Sequence, residues 1–443
     1  MSEKKPLVAN LFEMACVSHI THGLWVLEGN NRHRTSEMAY WLELAQVAEE
    51  AGFDAVFLAD VIGAYDDFRG GPDTALREGL QIPNLDPLAV IPAMAAVTST
   101  LGFGATYSTS YEPPFAFARR ASTLDHLTDG RFGWNIVTSY LSNAARNFGL
   151  AEQIEHDARY RIAEEYMEVL YKLWEGSWDD DAVLADRANK VYSDPSKVRY
   201  INHSGPNFSV AGPHLVAPSR QRTPVLFQAT GSPAGIEFAG RHAEVVFTRP
   251  GLQQQIAAAA GGRTVKTIVQ AGIVVGRTEE EAQRKWDEYR AHTSVDGILA
   301  HGGCVIDPAA YPPQTLVHDI LAAEGKADAP LAATLAPGTT AGQFIAQLKA
   351  QREGRYFVAG TPKVVADEIE HWLDEGVDGI NLRQYHSFDT ARDFGELVVP
   401  ELRRRGRWRD NVPGETLRER LLGAGPRLGE NHVGASYRAG VLA

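Results

Sequence analysis

The sequence predicts an α/β chain folded as a (β/α)₈, or TIM, barrel with long insertions at its catalytic face, and three observations predict it. Short apolar runs recur along the chain, each followed by a longer stretch of helical period. The runs are apolar at nearly every position, as in strands of a parallel sheet covered on both faces. There are eight of them, the number that closes such a barrel. The same alternation also allows an open, doubly wound sheet.

In chain order the strands are LVANLF (7–12), FDAVFL (53–58), GFGAT (102–106), RFGWNIV (131–137), PVLFQ (224–228), AEVVF (243–247), KTIVQAGIVV (266–275) and DGINL (378–382). Helices between them carry start and stop signals. Residues 37–51 follow Thr35 and Ser36 as N-caps, put Met38, Trp41, Leu42, Ala45 and Ala48 on one face, and stop at Gly52. Residues 362–375 repeat this grammar with Thr361 as cap, Pro362 in the first helical position and Gly376 at the end. Segments 59–86, 138–156, 175–223 and 291–345 exceed simple connections, and long loops in compact folds are commonly lids or binding loops. The first two follow strands and belong at the catalytic face; 175–223 and 291–345 are insertions in what reads as one domain over 1–443. Within 175–223, NFSVAGPHL (207–215) reads as a short hairpin.

Composition narrows the function. The chain has 443 residues, 44% apolar and 22% charged, as in globular enzymes. A net charge of -13 disfavours a phosphate-backbone partner, and a small-molecule substrate is expected instead of nucleic acid. MSEKKPLVANLF does not read as a signal peptide and no apolar run is long enough for a membrane helix, so the expected location is cytoplasmic, away from membranes. Two cysteines, Cys16 and Cys304, exclude a disulfide framework and a four-cysteine zinc site.

Two places suit an anion. In PVLFQATGSPAGIEFAG a strand runs through a tight turn into a helix, with Ser232 at the N-cap and Pro233 first in the helix; free amides there make a phosphate site by geometry. In EHDARYRIAEEY, His156 or Asp157 opens a helix whose first turn carries Arg159 and Tyr160. Each alone also reads as an ordinary capped helix. No third glycine follows GFGAT into a helix, and there is no P-loop, so a nicotinamide cofactor in a dinucleotide-binding fold is not expected.

Polar residues mark the strand ends. Asp60 ends strand two, Thr106 ends strand three and Asn135 lies in strand four, where a barrel directs polar groups to its mouth. The stretch NLFEMACVSHITHGLW (10–25) follows strand one to the same mouth. Cys16, His19 and His22, with Asp60 or His156, would form the ligand set of a metal-dependent hydrolase; a buried cysteine and hydrogen-bonded histidines are the plainer reading. No metal is expected.

Taken together, NLFEMACVSHITHGLW, YWLELAQVAEEAGFDAVFLADVIGAYD, QIPNLDPL, FARRASTLDHLTDGRFGWNIVTSYLSNAARNFG, HDARYRIAEEYMEVLYKLWEGSW, DPSKVRYINHSG and GTPKVVADEIE resemble the bacterial luciferase-like flavin monooxygenases. The resemblance is to the branch with nitrilotriacetate, dibenzothiophene-sulfone, dimethyl-sulfide and long-chain alkane monooxygenases, and covers nearly the whole chain. It implies a TIM barrel that takes reduced FMN from a separate NAD(P)H:flavin reductase, uses O2 as co-substrate, activates it as a flavin peroxide, and works as a homodimer or homotetramer. It further implies FMN contacts at Asp60, Thr106, Asn135, His156, Tyr160 and Ser232, with the phosphate at Tyr160 and Ser232. Catalytic positions on the substrate side of the flavin would be Cys16, His19, Tyr65 and Gln81.

Those residue types fit that chemistry. An imidazole such as His19 can hold or deliver a proton near neutral pH. Tyr65 and Gln81 can donate hydrogen bonds, and Cys16 would be a small apolar wall. The expected substrate is small and apolar or organosulfur. Two departures stand out: at Tyr140 the alkane pattern has histidine and the dimethyl-sulfide pattern tyrosine, and TRPGLQQQIAAAAGGRTVKT is about three turns shorter than the family's outer helix there, so that helix is expected to be truncated or disordered.

Overall fold

The computed structural model of the protein describes residues 4–249, 251–351 and 353–438. Eight parallel strands form the barrel: Val8–Met14, Ala55–Ala59, Gly102–Ser108, Phe132–Val137, Val225–Ala229, Val245–Phe247, Lys266–Val275 and Gly379–Arg383. Each pairs with the next, the seventh with the eighth through Ile268↔Gly379, and the eighth with the first through Val8↔Gly379, which closes the ring. The open-sheet alternative is thereby overturned. A further strand, Phe357–Gly360, not read from the sequence, extends the sheet beside Gly272–Val275. Its four residues alternate between half-buried and buried, too short a run to separate from loop.

The barrel interior is filled by alternate residues of successive strands. Phe12, Ala55, Phe57, Val225, Phe227, Val245 and Ile268 form one apolar cluster. Strands three and four supply glycine where these rings cross the barrel. A Cβ on Gly104 would stand 3.0 Å from Phe57, and one on Gly133 only 2.5 Å from Phe227. The opposite faces pack on the outer helices around Trp41, Trp134 and Trp372, all almost fully buried. On that alternation Thr106 and Asn135 point inward near the mouth, in register with each other.

Local punctuation holds with corrections. The helix Met38–Glu50 ends before Gly52, at φ +83, but Glu37 stands at its N-cap and makes no cap bond. Thr35 and Ser36 are not caps: residues Asn31–Arg34 form a tight turn capped by Asn30, and the Thr35 carbonyl accepts from Trp41 Nε1 at 2.9 Å. The helix Pro362–Asp374 starts with its proline, and Gly376 follows at φ +95, yet Thr361 makes no side-chain cap bond. The hairpin expected over 207–215 instead pairs His203–Ser204 with Ser209–Val210, and residues 211–215 form no strand. Between strands six and seven stands a short helix, Gln253–Ala259, packed on Gly240 of the preceding helix; Pro250 in that segment lies outside the described residues, as do residues 1–3 at the start.

The insertions build the roof. Segment 291–345 contains the helices Val295–His301, Val317–Ala323 and Pro330–Thr334 and leads into Ala341–Gln351. Leu299 and Ala300 pack with Tyr65, Phe68 and Leu80 from segment 59–86 and with Leu141 and Ala144 from the loop after strand four. Three chain segments distant in sequence thus share one apolar cluster above the barrel. Among the described residues no helix is long and apolar enough to cross a membrane.

Candidate functional site

At the C-terminal end of strand five the chain turns through Thr230, Gly231 and Ser232 into the helix Pro233–His242. Ser232 is its N-cap, with the hydroxyl accepting from Gly235 N at 3.2 Å. A Cβ on Gly235 would stand 2.0 Å from Thr230 Oγ1, 2.6 Å from Tyr160 Oη and 3.0 Å from Ser232 Oγ. Three hydroxyls therefore converge on the first turn of one helix. Thr230 Oγ1 and the Nε of Arg159 are buried with no hydrogen-bond partner. Unpaired buried polar atoms are costly, so such a cluster calls for a ligand with acceptor oxygens.

The second anion site needs correction. The helix His156–Tyr171 is capped by Glu155, whose carboxylate accepts from the amides of Asp157 and Ala158 at 2.8 Å each. Its free amides are satisfied from within the chain, and what it offers a ligand is the side chains of Arg159 and Tyr160. His156 is exposed at the rim, 2.6 Å from an Asp157 carboxylate oxygen and edge-on to the Tyr160 ring.

Between these helices and the strand ends lies a cavity of about 300 Å³ whose wall includes Asp60, Tyr140, His156, Arg159, Tyr160 and Gln228. A neighbouring hollow of about 220 Å³ contains Thr106 and shares Asp60 with it. Asn84 donates to Asp60 at 2.7 Å, yet burial dominates and pushes the Asp60 carboxyl up to about 6. Asn135 donates to Thr106 Oγ1 at 2.9 Å, which leaves Asn135 Oδ1 buried without a partner.

The other half of the site gathers around Gln81. This residue sits at φ +52, an uncommon conformation for a side-chain-bearing residue, held by its amide donating to the Ser18 carbonyl at 2.9 Å. Its Nε2 meets His19 Nδ1 and, at 3.2 Å, His301 Nε2. His19 stacks on Phe12, with ring centroids 5.4 Å apart. Tyr65 bonds through its hydroxyl to Tyr140 and lies edge-on to the His301 ring; burial and Tyr140 raise its pKa. Cys16 is fully buried, its thiol directed to the Ser18 carbonyl at 3.3 Å, and burial pushes its pKa up.

The structure brings Cys16, His19, Tyr65 and Gln81 together beside the first strand, and Asp60, Thr106, Asn135, His156, Tyr160 and Ser232 around the two hollows at the strand ends and the first turn of the helix Pro233–His242. Tyr140 connects the two groups. Sequence reasoning missed His301, which comes from the helix Val295–His301, 220 residues from Gln81. A single histidine ending a short helix in a long insertion has no spacing pattern to reveal it. His22 matches the plainer reading of a buried, hydrogen-bonded histidine, with its Nε2 2.9 Å from His301 Nδ1. Cys16, His19 and Asp60 do not converge as metal ligands: the thiol faces a carbonyl and Asp60 faces Asn84. Among the described residues no group of three or more His, Cys, Asp or Glu side chains is placed to hold a metal ion.

Comparison with known proteins identifies the family. The luciferase-like monooxygenase family model matches residues 20–379. A long-chain alkane monooxygenase of Geobacillus thermodenitrificans is 46% identical over 98% of each chain. A dimethyl-sulfide monooxygenase of Hyphomicrobium sulfonivorans is 41% identical over 98% of this chain and 94% of its own. A crystal structure of a long-chain alkane monooxygenase is 46% identical and superposes with a TM-score of 0.89, covering 98% of this chain and 100% of that one.

Proposed function

The chain belongs to the luciferase-like monooxygenase family, and on that footing we propose that it is the oxygenase of a two-component system, using FMN reduced by a separate NAD(P)H:flavin reductase and O2 to oxidise a small apolar or organosulfur substrate. The observation that carries the FMN assignment is the cradle at Gly235, where Thr230, Ser232 and Tyr160 hydroxyls meet at a helix N-terminus beside Arg159. Phosphate recognition requires donors without other commitments at such an end, and the unspent Thr230 and Arg159 atoms meet that need. A cavity of about 300 Å³ is at the small end of ligand sites, roughly 300–1,000 Å³.

On this reading Ser232, Thr230, Tyr160 and Arg159 would hold the phosphate, and Asp60, Thr106 and Asn135 would line the ring, with His156 at the rim. Reduced FMN, when bound, supplies the two electrons that divide O2 between product and water. This chain's residues do the rest. His19 holds or delivers a proton from beside Gln81; Tyr65, backed by Tyr140, donates a hydrogen bond at the substrate face; Cys16 and Phe12 are apolar walls that keep water away. Tyr140, with its hydroxyl on Tyr65, narrows the space next to the cavity and favours a small sulfide over a long alkane.

Purified protein supplied with FMN, NADH, a flavin reductase and ¹⁸O₂ is expected to place one labelled atom in an organic sulfide or an alkane; no labelled product from either class would refute the reading. His19→Ala should lower product yield and raise hydrogen peroxide release, and unchanged coupling would remove His19 from the proton step.

A further inference from the structure

The shortened connection after strand six, which begins TRPGLQQQ, brings one more cation to the Thr230–Ser232 turn. Strand six runs parallel to strand five with Phe247 opposite Ala229, and the Thr230 amide donates to the Phe247 carbonyl at 3.3 Å. Arg249 therefore emerges abreast of Gly231, in the middle of the turn. Alternation along the strand gives its direction. Val245 and Phe247 face the barrel filling, with the Phe247 ring centroid 4.3 Å from that of Phe57, and position 249 falls on the same side at the mouth. The guanidinium lies over the turn: its Nη2 donates to the Gly231 carbonyl at 3.3 Å, and a Cβ on Gly231 would stand 3.6 Å from its Nε and 3.7 Å from its Cζ. Gly231 itself lies two residues past Ala229, part of the wall of the cavity of about 300 Å³.

The segment is held in place from behind. Leu252 and Ile256 pack on Ile236 and Ala239 of the helix Pro233–His242, and Ala259 closes on Gly240, where a Cβ would stand 2.4 Å from it. The connection that starts at Arg249 is thus docked on the same helix whose first turn gathers the three hydroxyls. Its charge is uncompensated. Arg249 is exposed, and among the described residues no carboxylate pairs with it. The same holds for Arg159, which is 8% exposed and whose Nε has no hydrogen-bond partner. The carboxylates on the Arg159 helix are committed elsewhere: Glu155 caps it, Asp157 holds His156, and Glu164 binds Arg241 at 2.8 Å. Two guanidinium groups without a counter-charge, from two separate elements, therefore stand beside one helix start in a chain whose net charge is -13.

We infer that Arg249 is a second phosphate-binding arginine, the outer one, which draws the flavin phosphate to the turn and completes the grip that Arg159 makes from within. The inference rests on the FMN reading above and deepens it. A phosphate monoester carries a charge of about -1.5 to -2 at pH 7. An acidic protein repels such an anion at long range, so capture depends on uncompensated cations at the point of entry. Arg159 is buried and acts only at contact. Arg249 is exposed, and its field reaches out over about one Debye length, roughly 8 Å at physiological salt. Its planar fork can meet two phosphate oxygens at once, and the bond from Nη2 to a neutral carbonyl is weaker than a charge-assisted one to phosphate. The consequence is selection of a phosphorylated flavin over riboflavin, together with a capture rate that falls as salt rises.

The test uses flavin-free protein. FMN and riboflavin are titrated into wild type, Arg249→Gln and Arg249→Lys by quenching of flavin fluorescence, and FMN association is timed by stopped flow at low and high salt. Arg249→Gln is expected to bind FMN about three- to tenfold more weakly, with riboflavin affinity unchanged, and its slower FMN association should lose most of its salt dependence. Arg249→Lys, which keeps the charge without the fork, should keep the association rate and recover part of the affinity. Unchanged FMN affinity and rate in Arg249→Gln would overturn the inference. Equal weakening toward both flavins would also overturn it, since the residue would then support the turn without binding phosphate. Inorganic phosphate separates this inference from the reading beneath it. A phosphate-induced rise in melting temperature that is lost in Arg249→Gln, in a protein that binds FMN no better than riboflavin, would overturn the FMN reading and keep Arg249 as an anion ligand. A preference for FMN over riboflavin that survives intact in Arg249→Gln would do the reverse.

Discussion

Ser232 and Tyr160 each direct a hydroxyl at the space above Gly235, and a hydrogen bond to a phosphate is charge-assisted, worth about 1.5–3 kcal/mol. Ser232→Ala or Tyr160→Phe is therefore expected to weaken FMN binding by roughly ten- to a hundredfold by that range, read by flavin fluorescence; unchanged affinity in both would displace the phosphate from this end. Ser232 could be placed from sequence because turn, cap and proline are consecutive. Thr230 and Arg159 gain their meaning only from the atoms left unsatisfied around them, which no spacing reports. Asp60 makes a separate prediction. Burial raises its pKa to about 6, so the folded state favours the protonated acid. The stability this lends is fully present below the unfolded value near 4 and is lost as pH rises through about 6. Asp60→Asn should consequently melt like wild type below about pH 4 and raise the melting temperature of flavin-free protein above pH 7, corresponding to roughly 1–3 kcal/mol at about 1.4 kcal/mol per pKa unit. Identical melting curves across that range would mean that Asp60 is not held in its acid form.

At the scale of elements, the roof depends on a contact between two loops. Arg69, in segment 59–86 with Tyr65 and Gln81, donates to both carboxylate oxygens of Asp296 at 2.8 and 3.1 Å and to Asp307 at 2.7 Å. Asp296 lies in the helix that carries His301. Single exposed pairs contribute little, about 0–1 kcal/mol, and are screened by salt. Arg69→Ala should accordingly leave the melting temperature nearly unchanged while raising peroxide release, and high salt should reproduce that loss of coupling in wild type. A coupling ratio insensitive to both would show that the roof is held by its apolar contacts alone. The eight strands and their helices were legible because period and punctuation are local properties. The roof was not, because Leu80 and Leu299 meet across about half the length of the chain and neither segment has a period that names its partner. The strand Phe357–Gly360 escaped for a related reason, since its place is set by pairing with Gly272–Val275.

For the whole molecule, closure of the barrel opposite the site depends on residues beyond the eighth strand. The helix Leu417–Leu422 starts with a capping box from Thr416 and Glu419 and inserts Leu417 and Leu421 into the barrel's apolar filling, where a Cβ on Gly102 would stand 2.5 Å from Leu417. Between those two leucines is Arg418, fully buried, with Nε 2.7 Å and Nη2 2.9 Å from the two carboxylate oxygens of Glu244 and further bonds to the Thr223 and Pro224 carbonyls. Burial pushes the Glu244 carboxyl up, but Arg418 more than offsets it and holds the group below its usual range. The ion pair thus ties the C-terminal helix to the start of the fifth strand, which leads into the Thr230–Ser232 turn, and to the start of the sixth. Arg418→Leu leaves the Glu244 carboxylate buried and uncompensated, a loss of about 3–5 kcal/mol, whereas replacing both partners by leucine removes the charge and should recover most of it. Thermal melts at neutral pH would show the order: the single variant lowest, the double variant near wild type. In the single variant Glu244 loses its cation, so its pKa rises and the deficit should shrink as pH falls and the carboxyl takes up a proton. A double variant as unstable as the single one would place the energy in the lost carbonyl bonds of Arg418, making the pair a scaffold for the strand ends instead of a balance of charge.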